Sequence, residues 1–463
     1  MNQLTSVSPT PSAASGCATI APHDVAYDEA RAAWNLCADL RPATVVVATT
    51  VAEVQAAVAL ATAEGLRIAP FTTGHLATAL PSLQGTMLLR TELGHEVDVD
   101  PRARRARVPA GAVWEDVVDA IAPHGLAVAH GSSPDVGVVG YLLGGGLSFY
   151  GRERGLACNQ VVAFELVDAD GVVRHVDAEE HADLFWALRG GGGNFGVVTA
   201  VVLELLPYAE VFAGSVFWPI AAAPAVLAAW LAWTREAPAT VTTSLRLLRL
   251  PPVPEVPEPL RGVPVIGIDG IATDEADGRA MLARLHAAAP PMLDAWATMP
   301  SAAALRVHGD PEQPTPAASV HALLGELDEQ AARALIDLAG EGTDCPLLFV
   351  ELRQLGAALA TSPPEAGARG CLEGRFALFG IGCPMAPGDD VAIEAALDRL
   401  LADLAPWDTG RRYLNFDERG GAAEHGFDPA TFRCLVRLRA AWDPQARFVA
   451  SHRIPAAGDA SPR

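Results

Sequence analysis

Phe71-Thr72-Thr73-Gly74-His75-Leu76 follows the apolar run GLRIA (65–69) and places a histidine just past a strand. A neutral imidazole is both a nucleophile and a hydrogen-bonding group near neutral pH. His75 is therefore either a chemical anchor or a polar residue where a strand turns. Two glycine-dense stretches lie in the same half of the chain, GSSPDVGVVGYLLGGGLSFYG (131–151) and RGGGGNFG (189–196). Glycines let backbone amides approach a phosphate or a flat ring closely, and bare N–H groups bind anionic oxygens. Turns between strands would explain one such loop. Several of them beside TTGH point to a large, extended ligand.

Other residue types close off whole classes of chemistry. The chain has 463 residues and contains no lysine, so all 33 basic residues are arginine. A lysine Schiff base to pyridoxal phosphate, a Walker-A lysine and a kinase strand lysine are thereby excluded. The seven cysteines (17, 37, 158, 345, 371, 383 and 434) never form CxxC, which argues against a zinc ribbon, an iron–sulfur site or a disulfide framework. No metal site is expected. A net charge of −22 opposes nucleic-acid binding. The one dense basic run, PRARRAR (101–107), reads as the exposed face of a ribbon turning at Asp100-Pro101. No stretch is long and apolar enough for a membrane span. The start, MNQLTSVSPTPSAASG, has neither a basic n-region nor an apolar core, so residues 1–20 read as a disordered leader and the expected address is cytoplasmic.

The elements that must position these loops are legible in part. Val45–Val47 form a β-branched run, Thr50 is placed to cap a helix, Val51, Val54, Val58 and Ala61 recur at helical spacing, and Gly65 ends it before LRIA. This is a β-α-β unit. Residues 110–128 give a second helix, with Val113, Val117, Val118 and Ile121 on one side. GGGNFG (191–196) matches G-x-G-x-x-G, but a helical HADLFWALR precedes it and a β-branched VVTAVVLELLP follows. A Rossmann site needs the reverse order, strand then helix. After residue 215 the chain reads as a separate α+β region with an antiparallel sheet. It holds strands at PVIGIDGIA, PLLFVELRQL and FALFGIGCP and helices at DGRAMLARLHAAAP and DEQAARALIDLAGEG.

These segments together resemble the FAD-linked oxidases of the vanillyl-alcohol-oxidase and p-cresol-methylhydroxylase type, in the berberine-bridge-enzyme-like branch. The resemblance runs from YDEARAAWN (27–35) and RPATVVV (41–47), through residues 136–161 and DLFWALRGGGGNFGVVT (183–199), to YLNF (413–416) and RAAWDPQARF (439–448). It implies an α+β protein with a two-part FAD-binding domain, not Rossmann, and an inserted substrate domain of antiparallel sheet flanked by helices. The boundaries expected are 21–214 and 406–463 for the FAD domain and 215–405 for the substrate domain.

The resemblance also implies residues. Phe71, Thr72, Thr73, Gly74, His75 and Leu76 would hold the pyrophosphate. Gly131, Ser132, Ser133, Val136, Gly137, Gly140, Gly144 and Gly196 would line the cofactor, Val198 its adenine end, and Tyr413 and Asn415 the isoalloxazine. His75 would carry a covalent bond to the flavin. Ser133 stands where many members have a second, cysteine anchor, so the attachment expected is monocovalent. Thr72 and Thr73 stand where relatives have glycine, and their hydroxyls could bond phosphate directly. The tail reads SHRIPA where relatives carry asparagine and glutamine.

The activity implied is an oxidase that passes a hydride from a small alcohol, amine or natural-product intermediate to flavin N5, with O2 as acceptor. A dehydrogenase using another acceptor and a flavin-binding protein without turnover are the alternatives. Tyr413 is the candidate base, or else a packing tyrosine bonded to the flavin. Glu351 is the second candidate, or else the ion-pair partner of Arg353 on the same strand face. His308 and His321 could line the pocket but read rather as surface or loop residues, 310–314 as a turn, Cys158 as a buried small residue, and Trp114 and Trp186 as helix-face core. Partners expected are the small-molecule substrate and O2, with a homodimer allowed.

Overall fold

Thr50 opens the first helix as its spacing predicts. In the computed structural model, which describes residues 18–254 and 256–456, its hydroxyl accepts from the N–H of Glu53, whose carboxylate accepts from the N–H groups of Thr49 and Thr50. This reciprocal cap fixes the start of the helix Val51–Glu64, and Gly65 ends it at φ +67°. The helix joins strands Thr44–Ala48 and Arg67–Phe71, which both pair in parallel with Thr86–Thr91. Thr19–Ile20 adds an antiparallel edge strand against Val45 and Val46. The expected leader is therefore too long at its C-terminal end, because those backbone groups are used in a ladder. Its residues 1–17 lie outside the described ones.

A second, antiparallel sheet has five strands. In order they are Asp98–Asp100, Arg105–Pro109, Val197–Glu204, Val161–Val167 and Val173–Val176. PRARRAR turns there as the ribbon expects, with Asp100 accepting from the N–H groups of Arg102 and Ala103. The helix Ala182–Leu188 precedes the glycine run and a strand follows it, so the non-Rossmann reading of GGGNFG holds.

The third sheet is antiparallel, with eight strands drawn from residues 210–382. The chain crosses into it between Glu204 and Glu210. The expected boundary at 214/215 thus falls inside the strand Glu210–Pro219, whose apolar start reads like a continuation of the preceding strand. Four helices, Ala223–Thr234, Glu275–Ala288, Glu329–Ala339 and Asp389–Leu404, bury one face of this sheet around Trp218, Trp230, Ile268 and Leu397. Its other face carries Phe349, Phe379 and Ile381 toward the smaller sheets.

The C-terminal segment returns to the N-terminal sheets. The N–H of Ile68 donates to the carbonyl of Arg447, and that of Val449 donates to the carbonyl of Ile68. Arg439 and Asp443, both wholly buried and 3.0 Å apart, hold this return. Asp443 accepts from the N–H groups of Arg447 and Phe448, while Arg439 donates to the carbonyl of Phe448.

Two expectations about histidines fail. His308 and His321, placed at the surface by the sequence, are 3% and 5% exposed. Both find polar partners inside, which single-sequence hydropathy does not show. Trp114 is fully buried as expected, whereas Trp186 is only partly so. Among the described residues, no helix is long and apolar enough to cross a membrane, and no three His, Cys, Asp or Glu side chains gather as metal ligands.

Candidate active site

A cavity of about 400 Å3 lies where the three sheets and the C-terminal segment meet. Every residue expected to touch the cofactor lines it. They are the loop Phe71–Leu76, Gly131–Ser133, Val136, Gly137, Gly140, Gly144, Gly196, Val198, Tyr413 and Asn415.

The loop after strand Arg67–Phe71 positions His75. Its imidazole stacks on Trp34, with ring centroids 4.4 Å apart and planes at 19°. Nδ1 lies 2.9 Å from the Thr73 hydroxyl, and Nε2 lies 3.4 Å from Asp135 Oδ1. Asp135 in turn accepts from Trp34 Nε1 at 2.5 Å and from the Ser133 hydroxyl at 2.8 Å. Burial would raise the pKa of Asp135, but its contacts with His75, Ser133 and Trp34 outweigh that and keep it below the ordinary carboxylate range. Ser133, where a cysteine anchor would sit, thus supports the histidine. Thr72 and Thr73 have ordinary negative φ; only Gly74 needs the left-handed region, at φ +84°. The threonine hydroxyls are engaged within the protein, Thr72 with Thr91 at 3.0 Å and Thr73 with His75. Both residues also line the cavity.

At the other end of the cavity Tyr413 is held from three sides. Its hydroxyl accepts from the N–H of Leu147 at 2.7 Å and from Asn415 Nδ2 at 3.1 Å, and its own N–H donates to His321 Nε2 at 2.9 Å. Burial pushes the phenol above its ordinary range, so it carries its proton at neutral pH. His321 donates from Nδ1 to the carbonyl of Leu378, and burial pulls its imidazole down to about 4. Asn415 fits against Gly144 so tightly that a Cβ there would lie 1.6 Å from its Oδ1.

Glu351 does not line the cavity. It sits one layer behind, accepting from Ser244 Oγ at 2.6 Å and Arg353 Nε at 2.7 Å. The expected pairing with Arg353 is present. Burial would raise its pKa, but Arg353, His308 and Ser244 more than cancel this and hold it ionised. Both bonds fall on Oε1, and Oε2 lies 3.7 Å from His308 Nε2, so Glu351 sits as a support for Arg353, which does reach the cavity. His308 belongs to the same buried layer, 2.7 Å from Asp269, which pairs with Arg246 at 2.7 Å.

Sequence reasoning missed Trp34, Asp135, Asp310, Glu418 and His452. Glu418 lines the cavity and accepts from Asn35 Nδ2 at 3.2 Å; burial pushes its carboxyl up to about 7. Asp310, inside the expected turn, accepts from the Ser132 hydroxyl at 3.0 Å. His452 of SHRIPA faces Asp417, and its carbonyl accepts from Asn194 of the GGGNFG run. None of these carries a local signal, because each depends on a contact more than 30 residues away. Cys158 is buried as expected, its thiol pushed up to about 12 by burial.

The family described as "FAD binding domain" matches residues 42–177, the stretch that carries the His75 loop and most of the glycine positions. This segment belongs to the FAD binding domain family. Among curated relatives, (R)-6-hydroxynicotine oxidase of Paenarthrobacter nicotinovorans is 33% identical over 201 residues, 43% of this chain and 44% of that one. Xylooligosaccharide oxidase of Thermothelomyces thermophilus is 34% identical over 162 residues, 34% of this chain and 33% of that one. The matches span less than half the length of these curated relatives. Among solved structures, Physcomitrella patens BBE-like 1 superposes with a TM-score of 0.82 at 20% identity, covering 96% of this chain and 98% of that one. 6-Hydroxy-D-nicotine oxidase from Arthrobacter nicotinovorans gives 0.81 at 22%, with the same coverage. The fold is thus the one these solved structures share, the α+β arrangement that the resemblance implies.

The walls fit such a group. Among the described residues, the N–H groups of Gly74, His75, Ser132 and Ser133 donate to no protein acceptor, as a cradle for anionic oxygens requires. A Cβ on Gly140 would meet open space.

Proposed function

We propose that the protein is an FAD-linked oxidase acting on a small organic substrate, taking a hydride from a C–H beside nitrogen or oxygen and passing the electrons to O2. The observation that carries this reading is the convergence on one cavity of every residue the resemblance assigns to the cofactor, with His75 at one end and Tyr413 at the other. FAD supplies the hydride acceptor when bound.

The chain's own residues do the rest. The bare amides of Gly74, His75, Ser132 and Ser133 hold the pyrophosphate. His75 attaches the flavin, aligned by the Trp34 face and by Asp135, and Ser133 leaves it the single covalent bond. Asn415 orients the Tyr413 hydroxyl, which already accepts two hydrogen bonds and so presents its proton toward the cavity. Tyr413 accordingly acts first as a hydrogen-bond donor to substrate or flavin. The substrate-facing wall comes from the large sheet.

Purified protein should be yellow, and the colour should remain with the chain after acid precipitation. A screen of amines, sugars and alcohols under air should release peroxide with at least one. Flavin reduction without peroxide would instead support a dehydrogenase of the same fold. No reduction by any of them would support a flavin-binding protein without turnover.

A further inference from the structure

We infer that this cavity selects a cationic amine carried on an apolar body, and that Glu418 is the residue that binds its nitrogen. The inference rests on the oxidase reading above and names the substrate class of that same site.

The wall opposite the cofactor loops is apolar, built by Leu348, Phe349, Phe379, Ile381 and Phe416. Its charged groups decide what such a surface accepts. Arg353 is answered by Glu351 at 2.7 Å and lies over the rings of Phe149 and Phe416, so it offers little net charge to a ligand. Asp310 accepts from Ser132 and lies 3.6 Å from His308 Nε2. His452 faces Asp417. Arg419, next in sequence to Glu418, turns outward to Glu394 and Asp398.

Glu418 differs from all of these: among the described residues it has no ion-pair partner, and Asn35, which bonds it, is neutral. Asn35 Nδ2 donates to Oε2, and Asn35 is itself immobilised, since its amide also donates to the carbonyl of Ala317 and accepts from the N–H groups of Cys37 and Ala317. A carboxylate held at a fixed point of an apolar cavity without a cation is costly, and a ligand cation removes that cost. An anionic ligand meets repulsion there, and a neutral one gains one hydrogen bond at most. Burial moves the carboxyl toward neutrality, which shows how poorly its charge is compensated by the protein alone. The same carboxylate can take the proton when an ammonium N–H breaks, leaving the nitrogen lone pair needed for loss of hydride from the adjacent carbon.

The test uses three ligands of one shape, 3-phenylpropylamine, 3-phenylpropanol and 3-phenylpropionate, titrated into the purified full-length holoprotein at about pH 8, where Glu418 and the amine are both charged. Binding is read from the flavin absorbance and, in parallel, from the fluorescence of Trp34 at the cavity. The amine should bind at least about tenfold more tightly than the alcohol, and the acid more weakly than either. Glu418→Gln, which keeps the acceptor for Asn35, should abolish the amine's advantage and leave the alcohol within about twofold; Glu418→Asp should retain part of it. Equal binding of the three, tighter binding of the acid, no binding of the amine, or an amine preference that survives Glu418→Gln would each overturn the inference. A preparation lacking flavin absorbance would instead count against the oxidase reading, while the tryptophan titration still decides the amine question.

Discussion

His75 Nε2 and Asp135 Oδ1 face each other across 3.4 Å, between the indole of Trp34 and the hydroxyl of Ser133. A carboxylate held on one side of an imidazole fixes its orientation. His75 is thereby oriented by residues that lie about sixty and forty positions away on either side of it in sequence, and by the hydroxyl of Ser133.

His75→Ala is expected to abolish acid-stable flavin while leaving dissociable FAD bound. Asp135→Asn should leave the attachment possible but slow it by about one to two orders of magnitude, equivalent to ~1.4–2.8 kcal/mol of barrier. Both are read as flavin fluorescence of the denatured chain over time after FAD is added to flavin-free protein. Unchanged attachment in Asp135→Asn would show that the carboxylate only fills space beside the ring.

The contact between Gly144 and Asn415 makes a second prediction. Gly144 has an ordinary negative φ, so only space forbids a side chain there; its Cβ would fall 1.6 Å from Asn415 Oδ1. Gly144→Ala should displace Asn415, remove its hydrogen bond to Tyr413, and lower turnover by about tenfold, ~1.4 kcal/mol. In an Asn415→Ala background the same change should cost little more, because the obstructing amide is gone. Turnover of the four proteins forms a double-mutant cycle. Additive losses would mean that the two residues act separately.

Local signals made part of this legible beforehand. Thr50, the Val51–Ala61 spacing and Gly65 specify their helix without help from the rest of the chain, and the β-branched run after GGGNFG excludes a Rossmann turn. Ala223–Thr234 was not foreseen, because APAVLAAWLAWT is apolar on every side and shows no helical stripe. Its burial between the sheet and neighbouring helices is what permits that composition. His308 and His321 were misplaced for a related reason. A histidine is tolerated inside only where partners such as Asp269 or the carbonyl of Leu378 receive it, and those come from other strands. The cofactor loops were named through a resemblance. The residues that tune them, Trp34, Asp135 and Glu418, are assembled by tertiary contacts alone.

The buried pair Arg439–Asp443 should be one of the most sensitive points of the fold. Asp443→Ala removes the carboxylate paired with a wholly buried guanidinium and frees the N–H groups of Arg447 and Phe448. A loss of ~3–5 kcal/mol is expected by urea unfolding. Because Val449–His452 line the cavity, flavin affinity should fall in parallel. Lost stability with unaltered flavin affinity would show that the tail keeps its place without this pair.

Acid should destabilise the protein through two histidines. His130 and His321 are buried and held neutral; burial pulls each from an ordinary value of 6.5 down to about 4. Their folded-state values are depressed, so the unfolded chain takes up protons first as pH falls. Stability is fully present above pH 6.5, declines between 6.5 and 4, and levels off below 4 as the folded state protonates too. Each site accounts for up to ~3 kcal/mol over that window. Urea midpoints measured across it should fall, and His321→Gln should make the fall shallower, while lowering stability at neutral pH because the acceptor for the Tyr413 N–H is disturbed. The same variant should also lower turnover, since Tyr413 is positioned through that bond. A pH profile identical to that of the parent would remove His321 as a source of acid sensitivity and leave the decline to His130 and the carboxylates.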